Sequence, residues 1–331
     1  MRAVVLVGGF GTRLQPLTLE MPKQMLPIVG RPMIEHVVGY LESYGITEVV
    51  LSMGFAPDVF QSAYPDGHCN GMPILYAIEP EPLDTAGAIR FAADFANTQE
   101  TFLVLNGDIS TDLDIKNLIS FHKESKAKAT IHLTPVEDPS RYGVVTTDEE
   151  GRVLGFIEKP SLGEAPTNWI NGGTYVFEPS VLQQIKPGKR VSVEKEIFPL
   201  LASEASLFAF TSEDYWIDMG TPSTYLQAQL DLIKGGVRSS TFEGIDPDAK
   251  LYGNVENSVI GKGVKVGMGS LIQRSILMDG AQVGEDVLVS DSIVGFGANV
   301  GRESVIESFS VIGHNAVVPP KTKLHALTLG G

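Results

Sequence analysis

Residues 6 to 18 read "LVGGFGTRLQPLT", an apolar run that passes into three glycines, a threonine and an arginine. The run has the pattern of a buried strand, so Gly8, Gly9, Gly11, Thr12 and Arg13 form a loop at its carboxyl end. Glycines let backbone N–H groups approach phosphate oxygens closely, and successive amides in a turn make an anion-binding concavity. Ligands of open α/β sheets bind outside the carboxyl ends of strands, which is where this loop falls. No Gly-Lys-Ser/Thr follows, and Leu14 stands where a dinucleotide fingerprint has its third glycine, so neither of the common nucleotide loops is present. Alone, the stretch reads equally well as a tight turn. Lys23 follows ten residues after Arg13, between Pro22 and Pro27, in an ordered connection and not on a solvated helix face. Two aspartates end strand patterns, Asp108 in "FLVLNGD" and Asp218 in "YWID". Each has a reading without chemistry, Asp108 as a turn residue and Asp218 as a partner of the helix dipole near Thr221.

Positioning such groups takes strands whose ends meet, and the first 236 residues supply the pattern. Strand and helix patterns alternate there, the signature of an α/β layered fold with a Rossmann-like, mostly parallel sheet. "RAVVLV", "EVVLSM", "PILYAIE" and "FLVLNGD" read as buried strands. In "RPMIEHVVGYLESYG" the residues Met33, Ile34, Val37, Val38 and Leu41 recur at helical spacing and Gly45 supplies the stop. "TAGAIRFAADF" is a further helix, and "ATIHLTPV", "YGVVTTD", "VLGFIEKP" and "GGTYVFE" read as an added antiparallel region. "SVEKEIFPLLASE" and "TPSTYLQAQLDLIKGG" read as closing helices, the second with Thr221 as N-cap and Pro222 in its first position. Trp216 reads as core.

Composition narrows the function. A chain of 331 residues, 43% hydrophobic, can bury one large core or two ordinary ones. A single cysteine, Cys69, excludes internal disulfides and cysteine-built metal sites, and between His68 and Asn70 it reads as part of a turn. The balance of 25 basic and 40 acidic residues argues against nucleic acid, whose binding rests on neutralising phosphates. No apolar run nears the roughly 18 residues of a membrane span and no signal-peptide layout opens the chain, so a cytoplasmic protein is expected.

After Gly236 the pattern changes. Three blocks align without gaps from Asn257, Arg274 and Asp291, with a period of 17 residues. Aliphatic residues recur every six or five positions at Ile260, Val266, Ile272, Leu277, Val283, Val289, Val294, Val300, Ile306, Ile312 and Val318. Three short strands per turn, each with one inward aliphatic residue, describe a left-handed parallel β-helix of hexapeptide repeats. The expected domains are 1–236 and 245–331, and "LHALTLGG" at the end either caps the coil or packs elsewhere.

G-G-x-G-T-R-L-x-P-L-T followed by P-K-x-x-x-P resembles the sugar-nucleotide pyrophosphorylases, which join a nucleoside triphosphate to a sugar 1-phosphate. The resemblance extends through "NGD", "PSRYGVV", "FIEKP", "NGGTYVF", "VEKEIFP" and "YWIDMGTP". Those strings are most similar to the branch that uses GTP and mannose 1-phosphate. The resemblance implies that Arg13 and Lys23 act on the triphosphate, with Leu6, Gly8, Gly9, Gly11, Thr12, Glu79, Glu81, Thr85, Gly87, Asn106 and Gly107 around the nucleotide. It places Lys159 on the sugar phosphate, Gly143, Glu158 and Asn171 on the sugar, and Asp108 and Asp218 on Mg2+, with Arg13, Lys23 and Asp108 as the catalytic set. A homo-oligomer formed through the repeats is also expected. In one place the chain departs from the branch, which often reads L-G-T-A-G where this chain has "PLDTAG"; Asp84 then either alters base contacts or caps the following helix, the second being the safer reading. Rival functions are a glucose-1-phosphate thymidylyl- or uridylyltransferase, a silent regulatory subunit, and acyl transfer, for which His314 is the only candidate within the repeats.

Overall fold

The computed structural model describes residues 1–161, 163–235, 237 and 242–330, so the expected limits Gly236 and Gly331 lie outside it. The chain forms two compact units that do not follow its order: Met1–Gly9 with Val37–Trp216, and Phe10–His36 with Ile217–Gly331. Its α-helices are α1 (Met33–Ser43), α2 (Pro57–Ala63), α3 (Asp84–Phe95), α4 (Ile115–Ser125), α5 (Phe198–Ser203) and α6 (Pro222–Lys234). Among the described residues no helix is long and apolar enough to cross a membrane.

The first unit is built on a ten-stranded mixed sheet. Its strands are β1 (Arg2–Leu6), β2 (Glu48–Met53), β3 (His68–Cys69), β4 (Met72–Ile78), β5 (Phe102–Asn106), β6 (Ala129–Pro135), β7 (Gly143–Thr147), β8 (Val153–Glu158), β9 (Trp169–Phe177) and β10 (Leu207–Thr211). The order is β8-β7-β9-β5-β1-β2-β4-β3, with β6 pairing both β9 and β10. β5, β1, β2 and β4 are parallel neighbours. Successive residues of β1 and β2 point to opposite faces, yet Ala3, Val4, Val5, Val49, Val50 and Leu51 are all fully buried, so both faces are covered. The antiparallel strands are not a separate region: β9 runs antiparallel beside β5, with Thr174 opposite Leu105, and carries the sheet on to β7 and β8. Cys69 lies fully buried in β3 and not in the turn, which falls on Asn70 and Gly71 with φ of 51° and 86°. The segment expected as one helix after Ser192 is a π-helical turn, Val193–Ile197, running into α5.

β9 carries an irregularity that matters below. Between the pairs Asn171–Leu133 and Tyr175–Ile131, three residues of β9 face His132 alone. Gly172 closes on the His132 ring so tightly that no Cβ fits, and Gly173 takes φ 72° against the Asn106 side chain. The His132 Nε2 shares a 3.0 Å hydrogen bond with Ser212 Oγ, Nδ1 has no partner, and burial pushes the imidazole pKa down to about 4.

In the second unit three all-parallel five-stranded sheets stack into the coil. Ile260 pairs with Leu277, Val266 with Val283 and Ile272 with Val289, each 17 residues on. All eleven repeat positions are buried in one aliphatic core. The spacing widens to 18 from Val294 to Ile312, and the extra residue is taken up where Ser308 and Phe309 both have positive φ. Behind the aliphatic column runs a buried serine ladder, in which Ser258 Oγ accepts the Ser275 N–H and Ser275 Oγ the Ser292 N–H. These hydroxyls satisfy corner amides that would otherwise be buried without partners. Of the terminal "LHALTLGG", the described residues 324–330 continue the coil, with Leu324 beside Ile306 and Leu329 beside Ile312. The segment Phe10–His36 belongs to this unit and is tied to α6, where Gln229 Oε1 accepts the Val29 N–H at 3.0 Å and the Tyr225 hydroxyl donates to the Pro27 carbonyl. α6 opens on a capping box, Thr221 with Thr224, with Pro222 in its first turn.

Candidate active site

In the first unit the expected nucleotide and sugar groups collect along one edge of the sheet. Leu6 is level with Ser52 and with Asn106, so the turns after β1, β2 and β5 leave the same edge. The Gly107 N–H donates to the Leu6 carbonyl at 2.9 Å, and a Cβ on Gly107 would press on Val5, Val7 and Leu6. That glycine brings Asp108 round immediately after the strand. Gly8 and Gly9 are different. Both are exposed, and a Cβ on Gly9 would meet nothing within 4 Å. No packing among the described residues requires a glycine at position 9.

After β4, Glu79 closes a short loop. Its Oε1 accepts from Ser52 Oγ at 3.2 Å and its Oε2 from the Leu83 N–H at 3.0 Å, while Glu81 is exposed. Asp84 does not cap the helix as expected. α3 starts at Asp84 itself, and the preceding Leu83 makes no side-chain cap. Asp84 has φ 60°; its Oδ1 takes only the adjacent Thr85 N–H at 2.9 Å, and its Oδ2 pairs with Arg190 at 3.6 Å. Thr85 Oγ1 donates to Glu194 at 2.7 Å and accepts the Val193 N–H, and Gly87 leaves no room for a Cβ against the Lys189 carbonyl, 2.5 Å away. Both residues thus have packing roles that fasten α3 to residues 189–194.

The residues expected around the sugar lie further along the same edge. The pairing of Val144 with Ile170 sets Gly143 beside Asn171, and Glu158 pairs directly with Gly143. The Glu158 carboxylate lies over Gly143, where a Cβ would fall 2.9 Å from Oε2. Asn171 is held by its own strand: Nδ2 donates to the Tyr175 hydroxyl at 2.9 Å and Oδ1 accepts the Gly173 N–H at 3.0 Å. Burial pushes the Tyr175 phenol well above its ordinary value, so it stays a neutral hydroxyl. Lys159 has φ 50° and an exposed ammonium 3.3 Å from Glu158 Oε1. Trp216 is not core; it is half-buried, donates its indole N–H to the Gly172 carbonyl at 2.8 Å and meets Tyr142 edge-on.

In the second unit the loop is closed on itself. Gly11 has φ 61°, and its carbonyl accepts the Leu14 N–H and the Thr18 hydroxyl at 2.9 and 2.8 Å. Thr12 and Arg13 form an exposed 3-10 turn with Leu14, and Lys23 sits buried in a second such turn. Arg13 Nη2 is 3.9 Å from Asp218 Oδ2. Gly220 passes under this pair, and a Cβ there would lie 2.6 Å from Nη2 and 2.8 Å from Asp218 Oδ1. Sequence reasoning had no role for Gly220, although it stands inside the quoted "WIDMGTP".

The two carboxylates expected on a metal lie in different units, Asp108 after β5 in the first and Asp218 in the second. Among the described residues no group of three or more His, Cys, Asp or Glu side chains could cage a metal ion. Hard oxygen donors in such small number suit a cation that completes its shell with water and substrate phosphates.

Residues 2–235 match the family model described as nucleotidyl transferase, and residues 239–329 the one described as GMPPB C-terminal domain. A mannose-1-phosphate guanylyltransferase from Mycobacterium tuberculosis is 39% identical over 282 residues, 81% of this chain and 77% of that protein. A mannose-1-phosphate guanylyltransferase catalytic subunit beta from Dictyostelium discoideum is 40% identical over 256 residues, 77% of this chain and 69% of its own length. Among solved structures, HddC from Yersinia pseudotuberculosis superposes with a TM-score of 0.60 at 31% identity, over 69% of this chain and 97% of that one. With a glycine loop after β1, strand-end aspartates and a hexapeptide coil all in place, the chain belongs to the nucleotidyl transferase family.

Proposed function

We infer that the protein is a mannose-1-phosphate guanylyltransferase, which converts GTP and mannose 1-phosphate into GDP-mannose and pyrophosphate. The observation that carries the reaction class is the loop leaving β1, whose exposed glycines keep backbone N–H groups open and which continues along the chain to Arg13 and Lys23. An oxygen of the sugar phosphate attacks the α-phosphorus and pyrophosphate leaves, so two polyanions must meet. Arg13 and Lys23 offset the charge on the triphosphate, and Lys159 holds the sugar phosphate. Glu158 and Asn171 receive sugar hydroxyls in fixed geometry, because Asn171 is already oriented by Tyr175 and Gly173. A divalent cation, Mg2+ in this proposal, supplies charge neutralisation between the phosphates and would be held by Asp108 and Asp218.

Guanine offers donors at N1 and N2, which call for an acceptor; Glu81 and Glu79 stand on the loop after β4, where the base is expected. The catalytic domain is proposed as 1–236 and the repeat domain as 245–331, with a homo-oligomer formed through the coils, which expose Tyr252, Met268 and Val317. A cytoplasmic location follows from the substrates, a nucleoside triphosphate and a sugar phosphate.

The test is a panel of GTP, UTP and dTTP against mannose and glucose 1-phosphates, reading released pyrophosphate with Mg2+ and with chelator. A GTP and mannose 1-phosphate preference that shrinks in Glu81→Ala, or failing that in Glu79→Ala, is expected, and turnover should vanish with chelator. Comparable kcat/KM for the three nucleotides refutes guanine selection while leaving nucleotidyl transfer intact.

A further inference from the structure

His314 stands at a corner of the coil where the equivalent positions are Lys262, Asp279 and Phe296, so the repeat itself does not call for a histidine. Its Nδ1 accepts the Phe296 N–H at 3.0 Å, which leaves the ring proton on Nε2. Nε2 in turn meets the Leu17 carbonyl at 3.0 Å, across 297 residues of chain, and donates to it. The ring is further confined by Phe296, with centroids 4.9 Å apart, and by Gly295, where a Cβ would lie 2.8 Å from Nδ1. Burial holds the imidazole below its ordinary pKa against the opposing hydrogen bond to Leu17 and the charge of Glu20.

The carbonyl that His314 holds belongs to the closed loop described above. The Leu17 N–H donates to Leu14 at 3.0 Å, and the next residue, Thr18, binds the Gly11 carbonyl through its hydroxyl. Leu14 and Leu17 are both fully buried, whereas Thr12 and Arg13 are exposed. The loop therefore has one fixed side and one presented side, and His314 grips the fixed one. With both ring nitrogens engaged by the backbone, no lone pair is left for acyl transfer.

We propose that His314 is a positioning residue for the triphosphate: from the fourth coil it fastens the loop that carries Arg13 and Lys23. The proposal rests on the reading of Arg13 and Lys23 as phosphate ligands. It assigns the repeat domain a part in nucleotide binding through one side chain.

The test is steady-state kinetics and thermal unfolding of the full-length protein. In His314→Asn the side-chain oxygen takes the place of Nδ1 and keeps the Phe296 N–H, but nothing reaches Leu17; in His314→Gln an amide N–H extends as far as Nε2 does. His314→Asn should raise KM for GTP about three- to ten-fold, the contribution of one hydrogen bond. KM for mannose 1-phosphate and the unfolding midpoint should not move, and His314→Gln should restore most of the loss. An unchanged GTP KM in His314→Asn, or equal rises for both substrates with a lowered midpoint, overturns the inference. Arg13→Ala separates the two readings. If it leaves the GTP KM unaltered, the phosphate assignment has failed; if it raises that KM and His314→Asn does not, only the positioning role has failed.

Discussion

Replacing Gly220 by alanine should yield a folded enzyme with a displaced Arg13. The added Cβ would sit 2.6 Å from Nη2 and 3.2 Å from Cζ of Arg13, whereas ordinary contact begins near 3.4 Å, so the guanidinium must retreat by about 0.8 Å. Gly220 is not among the glycines with positive φ, so the backbone accepts alanine. The Arg13 side chain is 55% exposed and can swing outward at little cost in stability. On the proposed role of Arg13, its distance from the reacting phosphates is what changes. A misplacement of about 1 Å in a group that stabilises the transition state costs on the order of a hundred-fold in rate, or about 2.7 kcal/mol of barrier. Pyrophosphate release should therefore show kcat/KM down by about ten- to a hundred-fold, with urea unfolding within about 1 kcal/mol of the parent. In an Arg13→Ala background the same change should lose the part of its effect that Arg13 carries and keep only what the Cβ imposes on Asp218 Oδ1, 2.8 Å away. Full turnover in folded Gly220→Ala refutes the placement of Arg13 on the phosphates. A large loss of stability instead would mean that the glycine serves packing.

Gly9→Ala offers the converse case, since its Cβ meets no protein atom within 4 Å: unfolding should be unchanged and KM for GTP raised by about ten-fold, and an unaltered KM would show that no phosphate approaches there. Stability should also depend on pH through His132, whose pKa is about 4 when folded against 6.5 when unfolded. The unfolded chain binds the extra proton between those values, so the contribution is complete above pH 6.5 and is lost as pH falls towards 4, by about 3 kcal/mol. Urea unfolding at pH 7.5 and 5 should show about 2 kcal/mol of it, and a flat profile after allowance for His122 and His314, which burial lowers in the same direction, would refute it.

What the sequence made legible was whatever repeats or runs locally. Eleven aliphatic positions at hexad spacing were enough to place the main inward column of the coil, because each turn is a copy of its neighbour, whereas Val264, Ala281, Val287, Ala298 and Ala316, which share that core, lie off the hexad. The buried strands of the parallel sheet were legible because both their faces are apolar, and the loop after β1 because three glycines cluster. Partnerships between distant segments were not. Gly220 matters through Arg13, some two hundred residues earlier, and His314 through Leu17; nothing near either residue announces the contact. Asp84 looked like a cap since carboxylates usually serve there, but Arg190 and a left-handed backbone set its place. Cys69 sat among turn formers, and the two-residue strand that buries it is too short to leave a pattern.

The order in which the chain visits its two units bears on how the protein is made. Synthesis delivers Phe10–His36 within the first ninth of the polypeptide, but the residues that this segment packs with, from Ile217 onward, come off the ribosome last. Val29 must wait for Gln229, Pro27 for Tyr225 and Leu17 for His314. The sheet of the first unit can assemble meanwhile from residues up to Trp216, with the glycine loop left as an open excursion between β1 and α1. A nascent chain thus carries a formed sheet well before the glycine loop is fastened, which waits for the fourth coil and His314. A stop codon in the repeats ahead of His314 would leave a product that looks largely folded and lacks the contact to Leu17, the kind of partly built species that quality control must recognise by its unsatisfied apolar coil.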